Sequence, residues 1–176
     1  LKNINIVPHQ VRDLPKFKKL YKTTDTLNIG LLGVLTEHKG LQIVKQMLKR
    51  IDDENLKIRI ILIGTATENL SSPSFYQTGK YTRAELPKLT LDLDIDLFLI
   101  ASICPETFSF TTEEAILMGF PVASFDLGAP AERIARYEQG LIINTMDAAA
   151  ALERIQVYMD GRLLPPNPFL SSRKVL

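Results

Sequence analysis

The chain reads as an α/β protein, an open and mostly parallel sheet with helices on both faces. Three observations predict this. Near-continuous apolar runs suited to buried parallel strands recur along the chain. Segments with helical periodicity separate them, so strand and helix alternate. Each conspicuous polar loop follows a strand, which would gather those loops along the carboxyl edge of one sheet, where such folds bind ligands.

The regular pattern starts at Leu27. Asn28 to Leu35, NIGLLGVL, is a buried strand, followed by a polar loop from Thr36 to Gly40. Leu41, Val44, Leu48 and Ile51 then recur at three- and four-residue steps, giving a helix with one apolar face that ends in the turn Asp52-Asp53-Glu54-Asn55. Lys57 to Ile63, KIRIILI, is a second strand closing at Gly64, and the two strands with their helix form a right-handed βαβ unit. Ala66 to Pro73 is rich in Ser, Thr, Asn and Pro and reads as a loop; SFYQTG gives a short strand, and Thr82 to Leu93 a helix interrupted early by Pro87. Ile95 to Ile100 is again a buried strand. After a polar loop, a short helix carries Glu113 to Met118 with Gly119 at its C-terminal end, and Pro121 to Phe125 is a strand. Pro130 to Tyr137 is a short helix, Gly140 to Ile143 a strand, and Asp147 to Met159 a final helix with Leu152, Ile155 and Met159 on one side. No internal repeat suggests a solenoid.

The ends differ from this body. Residues 1 to 8 alternate enough for a short strand, and the basic segment after them, HQVRDLPKFKKLYK, reads as a surface connection or edge element. The tail from 161 to 176 is proline-rich and irregular. A chain that opens on Leu1 rather than methionine reads as a piece of a longer one.

With 176 residues, 45% of them hydrophobic and 23% charged, the chain is one domain with room for a substantial core. A net charge of +1 gives no case for nucleic-acid binding or electrostatic attachment to a membrane. No apolar run reaches the roughly 18–20 residues needed to span a bilayer, and no signal peptide is visible. One cysteine, Cys104, excludes an internal disulfide, and with only His9 and His38 beside it no zinc cluster assembles at usual spacings. Cys104 reads as a small buried hydrophobe at a strand end.

The stretch richest in chemistry runs from Cys104 to Arg133, CPETFSFTTEEAILMGFPVASFDLGAPAER. Thr111 or Thr112 is the expected N-cap of the helix that carries Glu114. The loop before it is then a helix N-terminus, where unpaired N–H groups and the helix dipole favour an anion, and its hydroxyls add donors. Glu106 and Glu114 stand on either side, two carboxylates able to accept hydrogen bonds from ligand hydroxyls. Phosphate plus sugar hydroxyls is the ligand this suggests. The competing reading is local: Glu113 and Glu114 complement the helix dipole while Thr111 caps it.

The spacing of Glu106 and Glu114 resembles the E-x7-E signature of group 1 (family 4) glycosyltransferases, and the surrounding frame follows in register: Phe108, Ser109, Glu114-Ala115, Gly119, Pro121-Val122, Gly128 and Glu132. The resemblance covers about Leu27 to Met159. It implies a Rossmann-like domain that is one half of a GT-B fold, the C-terminal half that binds a nucleotide diphosphate sugar as donor. It divides the chain into a linker or edge segment from a missing N-terminal domain (1–26), the donor-binding domain (27–160) and the tail (161–176).

By the same resemblance, Gly33 to Gly40, GVLTEHKG, matches a G-R-L-x-x-x-K-G motif whose arginine and lysine contact the donor diphosphate. Lys39 takes the lysine position; Val34 stands where arginine is expected. That departure removes a charge-assisted phosphate contact worth on the order of 1.5–3 kcal/mol, unless Lys80, Arg83 or His38 substitutes. Glu106 would hold hydroxyls of the transferred sugar and Glu114 the ribose hydroxyls; backbone N–H groups of Phe108, Ser109 and Phe110 would face sugar and diphosphate; Gly79-Lys80-Tyr81 would contact the base through backbone atoms. Without the resemblance, Phe108 and Phe110 read as core packing, Asp96 and Glu132 as turn and cap residues.

The implied activity is retaining, hexosyl-type transfer from the nucleotide sugar to an acceptor hydroxyl in making a cell-surface polysaccharide or glycoconjugate, with Lys39 and Glu106 as the catalytic groups. No metal and no other cofactor are expected. The missing N-terminal domain would hold the acceptor, so this chain alone would be inactive; no nucleic acid is expected as a partner. Placement is cytoplasmic, with any peripheral association with the inner face of the membrane running through the missing half. The alternatives are a GT-B-fold nucleotide-sugar 2-epimerase-like isomerase and a degenerate, non-catalytic binding domain.

Overall fold

A computed structural model describes residues 11, 13–17 and 26–163. Among these residues six strands form one sheet: β1 (Leu27–Leu35), β2 (Ile58–Ala66), β3 (Phe75–Gln77), β4 (Leu97–Ile100), β5 (Val122–Phe125) and β6 (Gly140–Ile143). Every pairing is parallel and the order is β3-β2-β1-β4-β5-β6. The helices are α1 (Leu41–Asp53), α2 (Leu86–Asp92), α3 (Phe110–Leu117), α4 (Gly128–Ala135) and α5 (Ala148–Leu163), with a single 3-10 turn at Glu37–Lys39.

Period-two alternation sorts the strands between two cores. Ile60 and Leu62 of β2, with Leu97 and Leu99 of β4, pack with Val44 and Met47 of α1 and Leu152 and Ile155 of α5. Their neighbours Ile61, Ile63, Phe98 and Ile100 face the other way, against Leu86 of α2, Ala115 and Ile116 of α3 and Ile134 of α4. Helices therefore cover both faces, and the expected α/β, Rossmann-like architecture is the one observed.

The order places β1 beside β4. The chain leaves β1 toward one face and β4 toward the other, which makes the carboxyl edge between them the switch point of the sheet, the place of a crevice. Asp96 helps fix this junction: its Oδ2 accepts from the Asn28 backbone N–H at 2.8 Å, tying the start of β4 to β1, and it is buried.

Several boundaries depart from expectation. The helix expected over Thr82 to Leu93 begins only at Leu86; Pro87 sits in its first turn, where a missing N–H costs nothing, rather than interrupting it. Upstream, Thr82 N–H and Oγ1 both meet Glu85 Oε2, at 2.7 Å, in a closed turn. α3 starts at Phe110 with Ser109, not Thr111 or Thr112, as N-cap, and Ser109 Oγ accepts from Thr112 N–H. α4 starts two residues before Pro130 and α5 runs on to Leu163. Within the basic N-terminal segment, residues 13–17 carry neither helix nor strand; Phe17 N–H bonds the Met118 carbonyl at 2.8 Å and its ring meets Phe120 edge-on. The strand expected over residues 1 to 8 and the tail beyond Leu163 lie outside the described residues.

Candidate donor site

The crevice is built from three loops, after β1, after β4 and after β3. The first two are laced together. His38 carbonyl accepts from Ile103 N–H at 3.0 Å and from Ser102 Oγ at 3.2 Å, and Cys104 Sγ lies 3.4 Å from His38 Nδ1. Cys104 is thus a half-buried loop residue beyond the strand rather than a buried hydrophobe at its end.

Further along both loops, Lys39 Nζ donates to Glu106 Oε1 at 2.7 Å. The lysine is about half exposed and the carboxylate mostly covered, their side chains 45% and 17% accessible. These are the two residues expected to carry catalysis, and they meet across 67 positions of sequence. Lys39 closes the 3-10 turn and does not sit in the first turn of α1, whose N-cap is Gly40. Glu106 is held from behind as well: Ala129 N–H, at the start of α4, donates to the Glu106 carbonyl at 2.9 Å.

A Cβ built on Gly33 would stand 3.5 Å from Thr111 Cγ2, so the end of β1 runs close to the N-terminus of α3. Val34 is 56% exposed and adds an apolar surface at the position where a second cation was expected. Ser109 is buried and its hydroxyl is engaged in capping and in a 3.1 Å hydrogen bond with Thr111 Oγ1. The first N–H groups of α3 have no carbonyl of their own helix to bond and point toward the crevice end of the helix.

Phe108 and Phe110 are not core residues. Phe110 is exposed, and the two rings pack edge-to-face with centroids 4.9 Å apart at the loop surface. Lys80 is exposed on the β3 loop, next to half-buried Tyr81.

Glu114 is the most enclosed acid of the site, 8% exposed. Arg83 Nε donates to its Oε1 at 3.1 Å. Burial pushes the Glu114 carboxyl above its ordinary range, and Arg83 pulls against that shift without cancelling it. Burial and the same carboxylate push the Tyr81 phenol up to about 12. The Arg83–Glu114 pair was not legible in the sequence: the partners are 31 residues apart on different elements, with no spacing rule to join them.

The crevice walls, including Val34, Lys39, Ser102, Glu106 and Thr111, enclose only about 30 Å³. A larger hollow of about 570 Å³ lies on the far side of Phe108 and Ser109, between α3 and α4, where Arg133 forms a two-point ion pair with Glu113 at 2.6 and 3.2 Å. Glu132 lines that hollow and does not cap a helix of the crevice. Among the described residues no three His, Cys, Asp or Glu side chains cluster as a metal site would require, and no helix is long and apolar enough to cross a membrane.

No curated protein is similar to the chain in sequence. Solved structures are. The Anabaena protein Alr3699/HepE, crystallised with UDP and glucose, superposes with a TM-score of 0.61 at 20% identity, over 77% of this chain and 39% of that one. The C-terminal domain of the group 1 glycosyl transferase LpcC from Francisella tularensis gives 0.59 at 18% identity, over 78% of each chain. The lipopolysaccharide outer core galactosyltransferase WaaB gives 0.66 at 13% identity, over 85% of this chain and 43% of that one. This chain therefore spans about two-fifths of the HepE and WaaB chains and most of the isolated LpcC domain. These likenesses establish the fold as that of a GT-B half. The family model for glycosyl transferases group 1 matches residues 26–160, the whole sheet with its helices, and the chain belongs to that family.

Proposed function

We propose that this domain binds the nucleoside diphosphate sugar of a retaining sugar transfer, and that the protein moves a hexose to an acceptor hydroxyl in making a cell-surface polysaccharide or glycoconjugate. The observation that carries the reading is the meeting of Lys39 and Glu106 at the β1/β4 switch point, with the N-terminus of α3 beside them and Glu114 one turn further in. A cation and helix N–H groups suit a diphosphate; a carboxylate at each end suits hydroxyls. That HepE was crystallised with UDP and glucose supports a ligand of this kind.

In this reading Lys39 and the α3 N-terminus stabilise the charge that grows on the departing diphosphate, and Glu106 orients the transferred sugar. Glu114 accepts from the ribose, and the Gly79–Tyr81 loop lies along the base. The crevice is an open wall, as suits a site whose other wall belongs to a preceding domain that holds the acceptor. No residue of the site is assigned to a metal, and the reaction is read as metal-independent and cytoplasmic.

The reading is tested by calorimetric titration with UDP, GDP, ADP and dTDP. One of the four is expected to bind saturably, and Glu114→Ala should weaken it roughly 10- to 100-fold, the loss of hydrogen bonds to a charged acceptor. Equal affinity in the variant removes the ribose assignment; no binding of any of the four by a protein that includes the preceding domain removes the donor-site reading.

A further inference from the structure

Glu114 is an unusual acceptor to leave to itself. α3 packs on β4 and β5, whose residues, Leu97 to Ile100 and Val122 to Phe125, bring no ionisable group to it. Among the described residues, the groups that face the carboxylate come from one loop: the Tyr81 phenol and the Arg83 guanidinium, the latter 3.1 Å away. The arginine side chain is about one-third exposed while the glutamate side chain is 10% exposed, so the pair sits where the buried acid meets the surface. A protonated carboxyl would offer a ribose hydroxyl a weaker acceptor than the anion does.

We infer that Arg83 is a positioning residue for nucleotide recognition: its guanidinium fixes the Glu114 carboxylate as an acceptor of ribose hydroxyls and so sets a preference for ribo- over 2′-deoxyribonucleotides. The inference rests on the proposed ribose role of Glu114 and assigns a second residue to it. It also gives Arg83 a task other than replacing the cation missing at Val34, because the guanidinium is committed at the inner carboxylate.

The sign of the pH effect follows from the two opposing influences on Glu114. Burial raises its pKa and Arg83 lowers it; without Arg83 the pKa rises further. Since the anion is the stronger acceptor, affinity falls as pH drops through that pKa, and it falls at a higher pH in a variant lacking the guanidinium.

The test compares UDP, GDP and ADP with their 2′-deoxy counterparts in wild type, Arg83→Gln, Arg83→Lys and Glu114→Gln, each checked by thermal melting, across pH 5 to 8. Wild type should prefer the ribonucleotide by about tenfold or more. Arg83→Gln should bring that ratio close to one, leave the deoxynucleotide affinity nearly as it was and move the acidic limb of binding to higher pH; Arg83→Lys should restore both. A folded Arg83→Gln protein that keeps the wild-type ratio and pH profile overturns the inference while Glu114 keeps its role. If wild type shows no ribo preference and Glu114→Gln binds as wild type does, the ribose assignment itself is overturned, and the inference with it.

Discussion

Gly40→Ala is expected to lower the melting temperature by roughly 6–16 °C, the consequence of a loss of about 3–4 kcal/mol at about 2–4 °C per kcal/mol in a domain of this size. Gly40 joins the Lys39 turn to α1 at φ 85°, in the left-handed region, donating its N–H to the Glu37 carbonyl while its own carbonyl accepts from Val44. An alanine Cβ there would lie 2.0 Å from the Ala101 carbonyl oxygen and 2.9 Å from its carbon. Those are backbone atoms at the exit of β4, so no side chain can swing away; the two loops must separate. Gly79→Ala is the control. It has nearly the same φ, 86°, but nothing within 4 Å of the added carbon, so only the conformational cost of about 1–2 kcal/mol applies. Differential scanning calorimetry of both variants isolates the close approach. Equal drops would mean that the β1 and β4 loops are not pressed together as described. Because separating them also moves Lys39 away from the β4 loop and the N-terminus of α3, nucleotide binding should weaken in Gly40→Ala at temperatures where the protein is still folded.

The parts of this molecule that depend on periodicity were legible in the sequence, and the parts that depend on contacts between distant loops were not. NIGLLGVL and KIRIILI have no reading other than buried parallel strands, and the leucine and isoleucine spacing of α1 gives one buried face. The cap of α3 shows where local reasoning stops. Ser109, Thr111 and Thr112 are all competent N-caps by residue type, and nothing in their spacing singles out Ser109, whose hydroxyl accepts from Thr112 N–H. Phe108 and Phe110 were open to a core reading because large aromatic rings usually bury themselves; here they cover each other on the loop instead. In the site, the residue types and their order were readable from the two carboxylates, the lysine and the hydroxyl-rich loop. That each acid is matched to a cation, Glu106 to Lys39 and Glu114 to Arg83, is a fact of three-dimensional proximity.

The Lys39–Glu106 pair gives the second large effect, and it separates the two halves of a nucleotide sugar. Lys39→Met should weaken binding of a nucleoside diphosphate roughly 10- to 100-fold, since a charge-assisted contact to phosphate contributes about 1.5–3 kcal/mol and Val34 supplies no second cation on that loop. Glu106→Gln should act in opposite directions on two ligands. With no nucleotide bound, Glu106 holds the lysine at 2.7 Å, and a phosphate must displace it. An ion pair whose lysine is half exposed is worth about 0–1 kcal/mol, so removing the carboxylate charge should tighten the bare diphosphate by no more than about fivefold. The same change removes an ionised acceptor for the sugar hydroxyls, so the nucleotide sugar should bind more weakly, by about tenfold. Calorimetry with both ligands on both variants and on the double variant resolves the matter. If Glu106→Gln tightens the nucleotide and the nucleotide sugar alike, Glu106 serves only as the counter-ion of Lys39 and its role on the transferred sugar falls. If it loosens the sugar-bearing ligand alone, the carboxylate is exchanged between two partners, the lysine in the empty site and the sugar in the filled one, and donor binding itself releases Lys39 to the diphosphate.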